Sequence, residues 1–99
     1  MMNTPMKDFI SIRTEVRESE GFEYRYELTE RKEFYVASYG IPLYSISVRM
    51  KKVGSQRCTE GKAENLFSDL KKAMRFFEKL VKNLATPIDL SYIVEDELT

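Results

Sequence analysis

The chain of 99 residues contains no histidine and a single cysteine, Cys58. Histidine is the side chain best suited to proton transfer near neutral pH, and it is the commonest metal ligand. Its absence excludes Ser-His-Asp and Cys-His catalytic sites, histidine-ligated zinc and imidazole general bases. One cysteine cannot form an intramolecular disulfide, which is typical of a protein of the reducing cytosol. Without a histidine base or a second thiol, we expect Cys58 to be an inert reduced thiol.

Long apolar runs and glycine-rich segments are also missing. No apolar stretch approaches the ~18 residues that a transmembrane helix needs. Met1–Ile10 has no basic segment followed by an apolar run, and therefore predicts no signal peptide. The four glycines are isolated from one another, which excludes a glycine-rich phosphate loop. We predict one cytoplasmic domain over residues 1–99, with a flexible tail at 1–7, no enzymatic activity, no catalytic residues, no cofactor and no metal ion.

The sixteen basic and sixteen acidic side chains cancel, which argues against a protein that coats nucleic acid in general. The charges are unevenly distributed, however. Residues 49–82 carry ten cations and four anions, whereas the last eleven residues carry four anions and no cation. The central surplus leaves a local anion-binding surface open as an interpretation.

Two alternating segments predict a β-hairpin near the N-terminus. The apolar side of the first segment consists of Ile10, Ile12, Thr14 and Val16. Its polar side consists of Ser11, Arg13, Glu15 and Arg17. The apolar side of the second segment consists of Phe22, Tyr24, Tyr26 and Leu28. Ser19–Gly21 supplies a turn between them, because Gly21 is free to adopt a positive φ. The charged residues Thr29–Glu33 predict a further turn.

The next segment, Phe34–Met50, is rich in aromatic and β-branched residues that favour strands. Gly40 and Pro42 interrupt it, so the pattern fits either one bent strand or two strands that meet at Gly40. Beyond the interruption, the apolar side consists of Tyr44, Ile46, Val48 and Met50. The polar residues Lys52–Gly61 predict a loop or the wide end of a hairpin.

Apolar residues at three- and four-residue spacing predict a helix over about residues 69–84. They are Leu70, Ala73, Met74, Phe77, Leu80, Val81 and Leu84. The helix could begin near Thr59, or at Ser68-Asp69 with Lys62–Phe67 as a short last strand. Thr86-Pro87 then predicts a second, short helix over about residues 87–97, capped by Thr86 with Asp89 three residues later. The predicted fold is α+β: an antiparallel sheet of three to five strands with one face covered by these helices.

Four short motifs, in this order, resemble those of an uncharacterised family of small Firmicutes proteins. They are Tyr24–Leu28, Tyr39–Ile41, Asn65–Asp69 and Thr86–Leu98. The resemblance implies an α+β fold and a bacterial cytosolic setting, and it implies no activity. The family's usual histidine after Pro-Ile is Asp89 here, and a usual aspartate is Tyr92, so any function shared at those positions is altered in this chain.

The solvent side of the sheet is the first candidate site. If the helices cover the side that carries Tyr24 and Ile46, the opposite side combines tyrosine with arginine, which are typical of contact surfaces. The candidate interface residues are Tyr35, Tyr39, Arg13, Arg25 and Arg49. An alternative is that a bulge at Gly40 turns both tyrosines inward. The favoured function is a non-catalytic protein-interaction or regulatory module whose partner is a second copy, in a homodimer, or an unknown protein.

The outer side of the main helix is the second candidate site. On a helical wheel, five cations fall opposite the apolar stripe: Lys71, Lys72, Arg75, Lys79 and Lys82. They predict either a solvated surface or a site for phosphate or acidic protein, and the alternative function is therefore an anion- or nucleic-acid-binding adaptor. The carboxylates of Asp89 and Glu95–Glu97 lack the spacing of a calcium loop, and we expect a solvated helix end there.

Overall fold

The computed structural model describes residues 9–33 and 41–98. These residues form a four-stranded antiparallel sheet of strand order β1-β2-β3-β4, followed by two helices. The strands are β1 (Phe9–Ser19), β2 (Phe22–Glu33), β3 (Ile41–Lys52) and β4 (Cys58–Phe67), and the helices are α1 (Leu70–Lys82) and α2 (Pro87–Leu98). The predicted α+β architecture is confirmed.

A two-residue turn joins β1 to β2, as the sequence predicted. Glu20 has a φ of 52° and Gly21 a φ of 84°. Two consecutive residues with positive φ match the twist of the flanking strands, and glycine takes such a conformation without steric cost. The predicted turn at Thr29–Glu33 is wrong, because β2 continues to Glu33 in register with β3. Pairing with a neighbouring strand outweighs the local turn preference of these charged residues.

The other ambiguous segments also resolve into strands. Lys62–Phe67 is part of β4, which begins at Cys58, so the loop predicted over Lys52–Gly61 is shorter than expected. β3 begins at Ile41 and contains Pro42. The predicted strand interruption at Gly40 lies outside the described residues.

The core lies between one face of the sheet, here called the inner face, and α1. Alternate residues of β2 and β3 point into it as predicted, and the helix contributes its apolar stripe. The buried residues are Tyr26, Leu28, Tyr44, Ile46, Val48, Ala73, Phe76, Phe77, Leu80, Val81, Ala85 and Leu90. Phe67 and Phe76 make an edge-to-face contact with ring centroids 5.5 Å apart. Burial of such side chains contributes about 1.5–3 kcal/mol each and drives the layers together.

The prediction for β1 is half wrong, because a β-bulge changes which residues face the core. Ser11 pairs with Thr29 and Arg13 pairs with Leu28, so Ile12 is the extra residue. An inserted residue reverses the alternation beyond it. Thr14 and Val16 therefore lie on the face opposite the helices, and Val16 is 45% exposed.

Both helices begin at capped ends. The Asp69 carboxylate accepts a hydrogen bond from the Lys71 N–H at 3.0 Å, so aspartate rather than Ser68 caps α1. At α2, the Asp89 N–H donates to the Thr86 hydroxyl and the Thr86 N–H donates to the Asp89 carboxylate, both at 3.1 Å. This reciprocal arrangement is the predicted capping box.

The N-terminus of α2 packs directly against β4 at Gly61. A Cβ atom placed on Gly61 would lie 2.6 Å from the Pro87 carbonyl oxygen and 3.0 Å from its Cα atom. Both atoms belong to the backbone and cannot rotate away. Only glycine therefore allows the strand and the helix to approach so closely.

We expect Gly61→Ala to lower the free energy of unfolding by about 1–3 kcal/mol, because the added methyl group forces α2 away from β4. Denaturant unfolding measures the loss, and hydrogen exchange should show faster exchange of α2 amides. Gly54→Asn is the matched control: Gly54 has a φ of 89° and open space around it, and asparagine tolerates positive φ. Equal stability of the two variants would contradict the packing argument.

Tyr26 connects the sheet to the segment between the helices. Its side chain is fully buried, and its hydroxyl donates a hydrogen bond to the Ala85 carbonyl oxygen at 2.9 Å. Burial, with a smaller contribution from Tyr24, raises the pKa of Tyr26 to about 12. The folded protein therefore holds this proton more tightly than the unfolded chain does.

We expect the stability that Tyr26 contributes to be complete below pH ~10 and to be lost as the pH rises toward ~12, because the unfolded chain releases the proton first. The loss should reach about 2–3 kcal/mol. Urea unfolding at stepped alkaline pH measures it. Tyr26→Phe should be less stable at neutral pH, but its stability should fall less steeply at alkaline pH. If the stability of the variant and of the unaltered protein fell in parallel, Tyr26 would not be the group that causes the loss.

Candidate interaction surfaces

The face of the sheet opposite the helices, here called the outer face, forms a shallow concave groove of about 610 Å³. Outward side chains of β2, β3 and β4 line it. The charged lining residues are Arg25, Arg31, Arg49, Lys51 and Lys62 with Glu23, Glu27, Glu60 and Glu64. Hydroxyl groups of Thr29, Ser45 and Ser47 lie between them. The groove thus combines both signs of charge with hydroxyl groups.

Within the groove two arginines face each other across adjacent strands. Arg25 of β2 pairs in register with Arg49 of β3. Like charges directly opposite each other destabilise a sheet. The register partner of Arg25 on its other side is the uncharged Val16, whereas Arg49 donates to the Glu60 carboxylate at 3.4 Å. Arg25 therefore has an arginine and a valine, and no carboxylate, as its direct cross-strand neighbours.

Three carboxylates of the groove have partners. Glu27 accepts from the Ser11 hydroxyl at 3.1 Å, Glu60 accepts from Arg49, and Glu64 lies 3.7 Å from the Lys62 ammonium group. The Ser45 hydroxyl accepts from the Asn65 backbone N–H at 2.9 Å, at a bulge of β4. These contacts hold the side chains around the two arginines in place.

The structure separates the residues that the sequence grouped as one interface. Arg25 and Arg49 lie on the outer face as predicted. The placement of Arg13 there is wrong, because the bulge in β1 turns it to the inner face. Tyr35 and Tyr39 lie outside the described residues. The sequence does not predict the contribution of β4, including Lys62, because its pattern indicates a loop up to Gly61 and leaves Lys62–Phe67 open between helix and strand.

Arg13 connects β1 to α1. Its guanidinium group donates to the carboxylates of Glu78 at 3.0 Å and Glu15 at 3.1 Å. The guanidinium carbon lies 5.4 Å from the centre of the Phe77 ring, a cation–π distance. Hydrogen bonds from Arg13 and Arg17 lower the pKa of Glu15 below its ordinary value. Arg13 therefore contacts the inner side of the molecule.

The cations of α1 form the second surface. All five predicted residues are exposed, on the side of the helix opposite the buried stripe: Lys71, Lys72, Arg75, Lys79 and Lys82. Glu78 is the one carboxylate in α1, and it accepts from Arg13. Within the described residues, no carboxylate lies within salt-bridge distance of Lys71, Lys72, Arg75 or Lys82. The helix therefore presents a continuous cationic surface.

The solvent side of α2 has the opposite character. Ile88 and Tyr92 are one turn apart and are 68% and 66% exposed. Exposed acidic residues Asp89, Glu95 and Asp96 surround them. The result is a small apolar patch with an acidic border, on the same side of the sheet as the cationic helix.

The thiol and the carboxylates of the described residues are further groups that could carry reactive or metal-binding chemistry. Cys58 is an exposed free thiol at the start of β4. Across residues 9–33 and 41–98, no group of three or more acidic or thiol side chains could share a metal ion. Neither α1 nor α2 is long and apolar enough to cross a membrane.

We expect Arg13→Ala to move the pKa of Glu15 upward toward its ordinary value, because the largest cause of its depression is removed. Titration of the Glu15 side chain by NMR measures the change. Arg25→Ala, on the opposite face, should leave the titration unchanged. An unaltered pKa of Glu15 in Arg13→Ala would contradict the placement of Arg13 on the inner face.

Comparison with known proteins gives one match. No curated protein and no solved structure is significantly similar to the chain. The profile of a family of unknown function, DUF6514, matches residues 6–99, which is nearly the whole chain. The chain therefore belongs to the family of unknown function DUF6514.

Proposed function

We propose that this protein is a non-catalytic protein-interaction module of the cytoplasm, and that its outer face binds a segment of a partner protein through a partner carboxylate. The observation that carries the proposal is the Arg25–Arg49 pair in a concave groove that no described element covers. A carboxylate between the two guanidinium groups would relieve their repulsion and accept charge-assisted hydrogen bonds from both.

The sheet itself gains nothing from this pair, which supports a role in binding. A glutamate in place of Arg25 would give an opposite-charge cross-strand pair with Arg49, worth about 0.2–1 kcal/mol. Proteins commonly keep such local costs where a function needs them. The concave shape further favours a ligand that enters the groove.

The mixed charge of the groove favours a protein ligand over nucleic acid. Glu23, Glu27, Glu60 and Glu64 lie among the cations and would repel a regular chain of phosphates. A protein segment can present a carboxylate to the arginines and basic or hydroxyl groups to the neighbouring glutamates. Such alternation gives specificity in protein recognition.

A non-catalytic role agrees with the chemistry of the groove. The chain has no histidine for proton transfer, and the carboxylates of Glu27, Glu60 and Glu64 are held by neighbouring donors. The exposed free thiol of Cys58 supports a reducing compartment, hence the cytoplasm.

We expect Arg25→Glu to raise the free energy of unfolding by about 0.2–1 kcal/mol, because the substitution replaces a like-charge pair by an opposite-charge pair with Arg49. Arg25→Gln, which only removes the repulsion, should raise it less. Urea unfolding at low salt measures both changes. A loss of stability in Arg25→Glu would show that the two side chains do not interact as the register implies.

Binding is tested with a defined probe: a fluorescein-labelled decapeptide of alternating glutamate and threonine. We expect low-affinity binding by fluorescence anisotropy, with chemical-shift changes centred on Arg25, Ser47 and Arg49. Arg25→Glu should abolish binding even though it stabilises the fold, and the matching glutamine–threonine peptide should not bind.

The control for the site is the triple variant Lys71→Glu, Lys72→Glu, Arg75→Glu on the other side of the molecule. It should bind the acidic peptide as the unaltered protein does. Binding that survives Arg25→Glu but disappears in the α1 variant would disprove the outer-face proposal, because the peptide would then occupy the cationic helix. Absence of peptide binding in the unaltered protein would disprove it as well.

A further inference from the structure

The two helices divide the charge of the helical layer into equal and opposite halves. α1 carries five cations and one carboxylate, a net charge of +4, whereas α2 carries four carboxylates and no cation, a net charge of −4. The chain as a whole is neutral. A surface with balanced positive and negative stripes is electrostatically complementary to a second copy of itself.

Some of these charges disfavour the isolated helices, although Lys79 and Lys82 in the last turn of α1 and Asp89 in the first turn of α2 agree with the helix dipoles. A helix N-terminus favours anions and its C-terminus favours cations. Lys71 and Lys72 lie in the first turn of α1, which has no acidic residue, and α2 has no basic residue in its last turn, where Glu95 begins a run of carboxylates. Helix formation does not explain the lysines at the start of α1 or the carboxylates at the end of α2, whereas contact with an oppositely charged surface does.

An apolar centre accompanies the charges. Ile88 and Tyr92 form an exposed patch on the outward side of α2. Tyrosine is enriched among the residues that dominate binding energy, and the apolar stems of lysine and arginine can cover such a patch while their charges reach its acidic border. The exposed side of α1 supplies these stems.

We propose that the helical layer is a self-association surface, on which α1 of each copy packs against α2 of the other. A two-fold axis that runs between the helices gives both contacts at once. In such an interface, if α1 of the first copy contacts α2 of the second, then α1 of the second copy contacts α2 of the first. Tyr92 and Ile88 of one copy then lie against the lysine and arginine stems of α1 of the second copy. The outer faces of both sheets stay free for their partners.

The experiment uses two charge-reversed forms of the full chain. The first is Lys71→Glu, Lys72→Glu, Arg75→Glu, which makes both helices negative. The second is Ser91→Lys, Glu95→Lys, Asp96→Lys, which makes both helices positive. The altered residues are exposed, and the reversals agree with the helix dipoles, so both forms should fold. Circular dichroism and thermal unfolding check this point.

Sedimentation equilibrium measures association. We expect the unaltered protein to dimerise, with a dissociation constant that rises about tenfold or more between about 0.05 M and about 0.5 M salt as the charges are screened. Each reversed form alone should be monomeric. An equimolar mixture of the two should recover a heterodimer, because each negative helix then meets a positive one. Tyr92→Ala should weaken the dimer at least about tenfold.

Arg25→Glu on the outer face is the matched control and should dimerise normally. A strictly monomeric unaltered protein at high concentration, or a mixture of reversed forms that stays monomeric, would overturn the proposal. A monomer that binds heparin through α1, with binding lost in the first reversed form, would identify a polyanion as the ligand and would also overturn it.

Discussion

The burial of the inner face of β2 and β3 against α1 is the contact on which the rest of the molecule depends. Tyr26, Leu28, Ile46 and Val48 of the sheet are almost inaccessible to water, and Phe77 and Leu80 of α1 are equally buried. Because a strand alternates between its two faces, packing one face against a helix commits the other to solvent. The groove, with its opposed arginines and its hydroxyl groups, therefore lies on the face of the sheet that the helices do not cover.

Two local devices adapt the outer parts of the fold to this core. The bulge at Ile12 changes the face of the following β1 residues and brings Arg13 over Phe77, where it also holds Glu78. At the opposite edge of the sheet, Gly61 lets the backbone of α2 approach β4. The first uses a backbone irregularity, and the second uses the absence of a side chain, to let a neighbouring element pack closely.

Several charges are placed where they cost local stability. Arg25 faces Arg49 across a strand pair, Lys71 and Lys72 lie at the positive end of α1, and carboxylates end α2. The arginine pair opposes the preference for opposite charges across strands, these charges of both helices oppose the helix dipoles, and the two sets lie on opposite sides of the molecule. The two binding surfaces that we propose, one for a partner segment and one for a second copy, account for both sets. Because the chain belongs to DUF6514, the charges at these positions can be compared with those at the same positions in other members of the family.

Short-range patterns were sufficient for much of this architecture. Hydrophobic periodicity identified the first hairpin and α1, and turn and capping chemistry located Gly21 and Thr86, because these signals depend on neighbours only a few residues away. The exposed cations of α1 and the outward placement of Arg25 and Arg49 followed from the same alternation. The alternation did not predict the inward orientation of Arg13, the full length of β2 or the strand character of Cys58–Gly61. Those features depend on which residue of a distant strand each position meets, and that pairing exists only once the sheet has formed around its core.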